Sequence, residues 1–272
     1  MPNLPTHIEV AWRAACEIQD PLITDNLGCY LLGATAPDVR IITKRPRTET
    51  HFFELESGQA GDGSFGLLNT YPELTSPSSD AQAAFVAGYI THLVADETWI
   101  TSMYRRYFDG TGKFDSNAAA QLFDRAAQLS LDRASEHRVR SLITSMDELE
   151  DGLAAGPLDA TTLSEWRIWV LDFLSDARPY SWQRLRHMAG RISGRDSEHP
   201  VHQLAERFLT DVHGGLRELY DRVPEAELER YLKVTVDNLI LSVTEYLGSG
   251  DRVIRVRETT GPGIPRGRST AN

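Results

Sequence analysis

Eight histidines are spread through this chain of 272 residues: His7, His51, His92, His137, His187, His199, His202 and His213. The most informative stands in Gly88-Tyr89-Ile90-Thr91-His92-Leu93-Val94-Ala95-Asp96-Glu97. His92 and Asp96 are four residues apart, so on a helix they share one face about a turn from each other. Their neighbours are apolar, and a buried imidazole and carboxylate need polar partners. Two readings fit: a hydrogen-bonded pair inside a core, or two ligands of one metal ion. Asp38 and His51 come from a Pro- and Gly-rich connection, where site residues are often placed, and His7 comes from the first turn of the first helix. Three imidazoles and two carboxylates without a thiolate suit catalytic zinc, and also manganese or iron. One ion takes three or four protein ligands. Five candidates point either to one ion with an outer helper or to two ions bridged by a carboxylate. Such an ion lowers the pKa of bound water from about 15.7 to about 7. Asp38 is the catalytic candidate, as a ligand or as the base that orients the attacking water.

The elements that must position these groups read as helices almost throughout. Thr6-His7-Ile8-Glu9 has the form of a capping box, followed by Ile8, Ala11, Trp12 and Ala15 on one face. A second helix is expected from Pro21 to Leu32, ending at Gly33. Residues 34–79 read as a long irregular connection. The strongest helix is expected from an Asp80 cap to about Tyr107, with Phe85, Tyr89, Leu93 and Ile100 facing the core and Gly88 marking a close approach. Further helices are expected at about 116–134, 137–151, 161–175, 181–193, 200–221 and 225–247. No run of alternating strands bounded by hairpin turns occurs. Residues 1–247 read as one domain, and 248–272, with five arginines and several Gly and Pro, as a flexible tail.

Hydrophobic residues make up 41% of the chain and charged residues 25%, a globular composition. With 28 basic against 39 acidic residues the formal net charge is −11, which argues against nucleic acid as a partner. A metal would supply local positive charge for a phosphoester. The two cysteines, Cys16 and Cys29, form no zinc ribbon and read as small apolar helix residues. No basic, apolar leader and no transmembrane-length stretch is seen, so the expected location is the cytoplasm without a stable membrane anchor.

The order His7, Gly33-x-x-x-Pro37-Asp38, Thr50-His51-Phe52, Gly88-Tyr89-x-x-His92-x-x-x-Asp96 resembles the zinc-dependent phospholipase C family, related in fold to the zinc-dependent single-strand nucleases. The resemblance covers about the first hundred residues. It implies an all-α, multi-helix bundle of the phospholipase C/nuclease type. It also implies a zinc cluster that cleaves a phosphodiester in a small-molecule or lipid substrate. Asp38, His51, His92 and Asp96 would hold one zinc, and Asp96 would bridge to a second bound by His7. In some members the N-terminal amine completes that second site. The family's active enzymes add histidines soon after this helix for a third metal, whereas no histidine occurs from Thr98 to Glu136 here.

A non-catalytic metal-binding or scaffold protein that keeps this fold is the alternative. A phosphohydrolase of the His-Asp type would need an adjacent His-Asp pair, and none occurs. Gly61-Asp62-Gly63-Ser64-Phe65-Gly66 matches a dinucleotide motif by letters, but it lacks a preceding strand and reads as a loop from which no helix opens. Arg40, Arg45 and Arg47, between Asp38 and His51, could bind phosphate or form an exposed basic loop, and the loop is the expectation. Glu97, Trp99, Tyr104, Trp166 and Trp169 read as solvated or supporting (Glu97) and core (the aromatics). His202-x-x-x-Glu206 reads as an exposed helix face.

Overall fold

The computed structural model describes residues 1–53, 61–147, 152–194 and 196–248, and these are helical, with no strand among them. The first half holds α1 (Leu4–Ile18), α2 (Pro21–Asp25), α3 (Leu27–Gly33), α4 (Arg40–Thr43), α5 (Thr48–His51), α6 (Asp62–Thr70) and α7 (Asp80–Trp99). The second half holds α8 (Asn117–Leu142), α9 (Ala160–Ser175), α10 (Arg184–Ile192), α11 (Pro200–Thr210), α12 (Val212–Arg222) and α13 (Glu225–Gly248). Ile100–Phe108 extends α7 as π-helical turns. Among the described residues, no helix is long and apolar enough to cross a membrane. The expected tail lies, apart from Gly248, outside the described residues.

The middle of the molecule is α7, whose residues from Ala83 to Trp99 are all buried. Such a helix must be covered on every side, and α3, α13 and α1 do this. The crossing with α3 is a backbone contact. A Cβ on Gly88 would lie 1.9 Å from the Tyr30 carbonyl oxygen, and one on Gly33 would lie 2.1 Å from that of Phe85. Only glycine permits this approach, which brings the turn after α3 onto the face of α7 that carries His92. The apolar interior has two parts. One joins α1, α3, α7, α9 and α13 through residues such as Ile8, Tyr30, Phe85, Leu93, Trp166 and Val243. The other joins the end of α7 to α8 and α10–α13 through Trp99, Phe123, Leu185, Phe208, Leu219 and Tyr231.

Several local expectations are corrected. α1 begins at Leu4 after Asn3, so Thr6 is no cap: its hydroxyl donates to Asp132 Oδ1 at 2.8 Å, while Glu9 pairs with Arg13 and Arg138. The α7 cap is Ser79, one residue before Asp80, with its hydroxyl accepting the Gln82 N–H. The expected second helix divides at Asn26 into α2 and α3, and 200–221 divides at Asp211 into α11 and α12. Conversely, the expected break near residue 135 is absent. Ser135 bonds its hydroxyl back to the Asp132 carbonyl, and α8 runs through to Leu142. The connection 34–79 contains α4, α5 and α6, and a helix does open from the Gly61–Gly66 motif. Both cysteines lie on helices, as expected, with Cys29 buried and Cys16 exposed.

Candidate functional site

Each expected ligand arrives on a different support. His7 sits on the first turns of α1, Asp38 on the 3-10 turn Ala36–Val39, His51 at the end of α5, and His92 and Asp96 on α7. The structure brings all five together. Asp96 is their centre, and its two oxygens face different partners. Oδ1 lies 3.3 Å from His7 Nε2, while Oδ2 lies 3.5 Å from His51 Nε2 and 3.8 Å from His92 Nε2. Asp38 Oδ1 is 3.8 Å from His51 Nε2. The imidazoles and Asp96 are buried, whereas the Asp38 side chain keeps 23% exposure. The His7 and His92 rings stack at 3.7 Å.

The protonation pattern follows from what holds the rings. His92 Nδ1 lies 2.9 Å from the Ala34 carbonyl oxygen, which can only accept, so Nδ1 carries the hydrogen and Nε2 offers a lone pair. His51 Nδ1 lies 2.9 Å from the Thr50 hydroxyl. That hydroxyl donates onward to the Arg47 carbonyl, so His51 Nδ1 donates and its Nε2 is also a lone pair. Burial, with Arg47 nearby, holds the His51 pKa down at about 3, and burial with His7 nearby lowers that of His92. Burial alone would raise the Asp96 pKa, but His7, His92 and His51 outweigh it and keep the carboxyl well below its usual range. Burial and the nearby Asp96 raise that of Asp38. The lone pairs of His51 and His92 Nε2 therefore face Asp96 Oδ2 with no hydrogen of their own between them, and both nitrogens are buried without a hydrogen-bond partner.

That is the chemistry of a cation site. Zinc-class ions hold ligands at about 2.0–2.2 Å, so a tetrahedral set stands about 3.3–3.6 Å apart, close to the spacings here. Two groups can hold a metal ion, His7–His92–Asp96 and Asp38–His51–His92. Because its Nδ1 is committed to Ala34, His92 offers one nitrogen and can serve only one of them at a time.

Arg47 was not separable in sequence from Arg40 and Arg45, and the structure separates all three. Arg47 turns inward and donates to Asp96 Oδ2 at 2.7 Å, with its guanidinium over Phe53 and against the Met1 thioether. Its Nε and Nη1 are buried without partners. Arg45 instead holds the Pro157 carbonyl, and Arg40 is exposed. The expected basic loop is thus overturned for Arg47. Glu97 is not solvated either. It is buried and accepts the Gly61 and Gly63 N–H groups at 2.5 and 2.7 Å, so the glycine motif is an anion-binding turn closed by the protein's own carboxylate. Burial pushes the Glu97 carboxyl up to about 8 against those two hydrogen bonds.

Asp38 and Asp96 lie on the wall of a cleft of about 680 Å³ that also reaches Met1, Tyr104 and Trp169. Burial pushes the Met1 amine down to about 6, against the nearby Asp124 and Asp96 carboxylates. Trp99 and Trp166 are core, as expected, with Trp99 Nε1 donating to Asp124. Trp169 and Tyr104 pack against the core, as expected, and also line the cleft. His202 bonds Ser193 and Asp196, and Glu206 pairs with Arg186, so that spacing builds no site. Comparison with known proteins gives no matching family model, no matching curated protein and no matching solved structure.

Proposed function

We propose that this protein is a metal-dependent hydrolase of phosphoesters, with zinc as the ion and a helical arrangement of the phospholipase C/nuclease type. The observation that carries this reading is the set of buried, unpartnered Nε2 atoms gathered on Asp96 beside a cleft. When bound, zinc supplies hydroxide at neutral pH and neutralises charge on a phosphoryl oxygen. His7, His92 and Asp96 would hold it, with His51 beside them. Asp38, partly exposed at the cleft with its pKa raised, is placed to accept a proton from an attacking water.

The test is metal content by mass spectrometry of protein purified without added metal or an affinity tag, beside a His92→Ala/Asp96→Ala double variant. One or two equivalents of zinc, manganese or iron are expected, lost in the variant, together with hydrolysis of a chromogenic phosphodiester by the parent. Absence of metal, no uptake on titration and an unchanged melting temperature in the variant would overturn the reading. Arg47 favours a second one, a non-catalytic metal-binding or scaffold protein, because its guanidinium already neutralises Asp96. That reading expects metal uptake without turnover.

A further inference from the structure

The protein carries a net charge of −11, yet the cleft beside the cluster is lined by five arginines: Arg40, Arg125, Arg178, Arg184 and Arg191. They come from α4, α8, the turn Arg178–Tyr180 and α10, so no single basic segment accounts for them. Two are held in place from behind. Arg184 donates to Asp132 Oδ2 at 3.2 Å and to Asn3, and stands 5.4 Å from the Phe173 ring. Arg125 donates to Gln128 at 2.9 Å. Two others, Arg40 and Arg191, are exposed and have no hydrogen bond or ion pair among the described residues. Arg184 lies within the repulsive fields of both Arg191 and Arg125, and His187 within those of Arg191 and Arg184. Like charges gathered around an open cleft, in an acidic protein, raise the local concentration of anions.

Three of the five are paired with carboxylates: Arg125 stands 3.9 Å from Asp124, Arg178 2.8 Å from Asp176 and Arg184 3.2 Å from Asp132. Arg40 and Arg191 keep the unpaired positive charge, and Asp38 and Asp96 belong to the metal cluster. A quaternary ammonium head group would need open aromatic faces. The faces of Trp169 are instead covered by Trp166 and Phe173, stacked at 5.0 and 4.9 Å. Planar guanidinium groups match the oxygens of phosphate or carboxylate.

We infer that this cleft holds a second anion subsite, built from Arg40, Arg184 and Arg191, and that the preferred substrate carries a second oxyanion besides the phosphoester at the metal cluster. Its relevance to turnover rests on the hydrolase reading, but the subsite itself does not. A volume of about 680 Å³ admits a molecule the size of a phosphorylated sugar.

Isothermal titration calorimetry tests this with fructose 1,6-bisphosphate and with phosphocholine. Each is titrated into parent protein, Arg40→Glu and Arg191→Glu, after EDTA treatment and after zinc loading, with metal content measured on the same samples. The bisphosphate should bind the parent at least tenfold more tightly than phosphocholine in both states. Each charge reversal should weaken it at least fivefold without changing metal content. Equal affinity for phosphocholine, no bisphosphate binding, or binding indifferent to both reversals would overturn the subsite. If the protein takes up no metal but the arginine-dependent preference persists, the hydrolase reading falls and the subsite stands.

Discussion

The two parts of the interior are packed by different means. Where α3 crosses α7 the helices meet backbone to backbone at Gly33 and Gly88, and the space so closed holds three buried imidazoles and a carboxylate. Around α8 and α10–α12 the contacts are side chain to side chain. The aromatic series Phe108, Phe114, Phe123 and Phe208 interlocks at centroid distances of 5.2–6.2 Å. The first region has little room to relax and positions the ligands. The second is an ordinary amphipathic packing whose outward face supplies the arginines of α10. A polar cluster can be buried only where the surrounding backbone is fixed closely enough to satisfy or align every group.

Alanine substitutions of glycine should break this contrast most sharply. Gly88→Ala would drive a methyl group into the Tyr30 carbonyl, and the cost should be about 3 kcal/mol or more. A thermal melt should show a drop of roughly 6–12 °C, with loss of metal uptake, because the turn that supports His92 through Ala34 must move. A melting temperature within a degree of the parent would refute the close crossing.

The next effect lies on the residue that joins the two regions. Asp132 of α8 is buried, accepting from Asn3 and Thr6 on the α1 side and from Arg184 on the other. Burial pushes its carboxyl up to about 6, above its ordinary value. The folded state then holds the proton more tightly than the unfolded chain. The stability this group gives is full below about pH 4 and is lost as pH rises through about 6. Asp132→Asn should therefore flatten the pH dependence of unfolding between about pH 4 and 7, by up to about 3 kcal/mol relative to the parent. Denaturant titrations at several pH values check this, and parallel profiles for the two proteins would refute it.

The smallest effect, of opposite sign, belongs to the second region. Gly190 of α10 has nothing within 4 Å of where a Cβ would sit. Gly190→Ala should raise the melting temperature by roughly 2–4 °C, from a helix-propensity gain of up to about 1 kcal/mol. A destabilisation like that of Gly88→Ala would mean that both regions are packed alike.

The helical class and most helix positions were legible because apolar periodicity and proline punctuation are local signals. His92 and Asp96 were legible from their spacing. That His7, Asp38 and His51 should join them was read from the order of motifs. What sequence could not supply was direction. Arg40, Arg45 and Arg47 look alike in a row, yet only the last turns into the cluster. Glu97 does point away from its neighbour Asp96, as adjacent helix residues must, but toward the Gly61 and Gly63 amides rather than toward water. Thr6 carries a cap-like signal that is overridden by Asp132, 126 residues away. The arginine-lined cleft had no local signature, because its residues meet only after α8 and α10 have packed.

The stacked series Trp166, Trp169 and Phe173 gives the molecule an optical property. Of its five tryptophans, Trp169 is the one on the cleft wall, while Trp12 lines a separate groove, Trp99 and Trp166 are enclosed and Trp182 packs against Phe208. Filling the cleft would change the surroundings of a single indole edge, so the chain's own emission spectrum can follow occupancy without any attached dye.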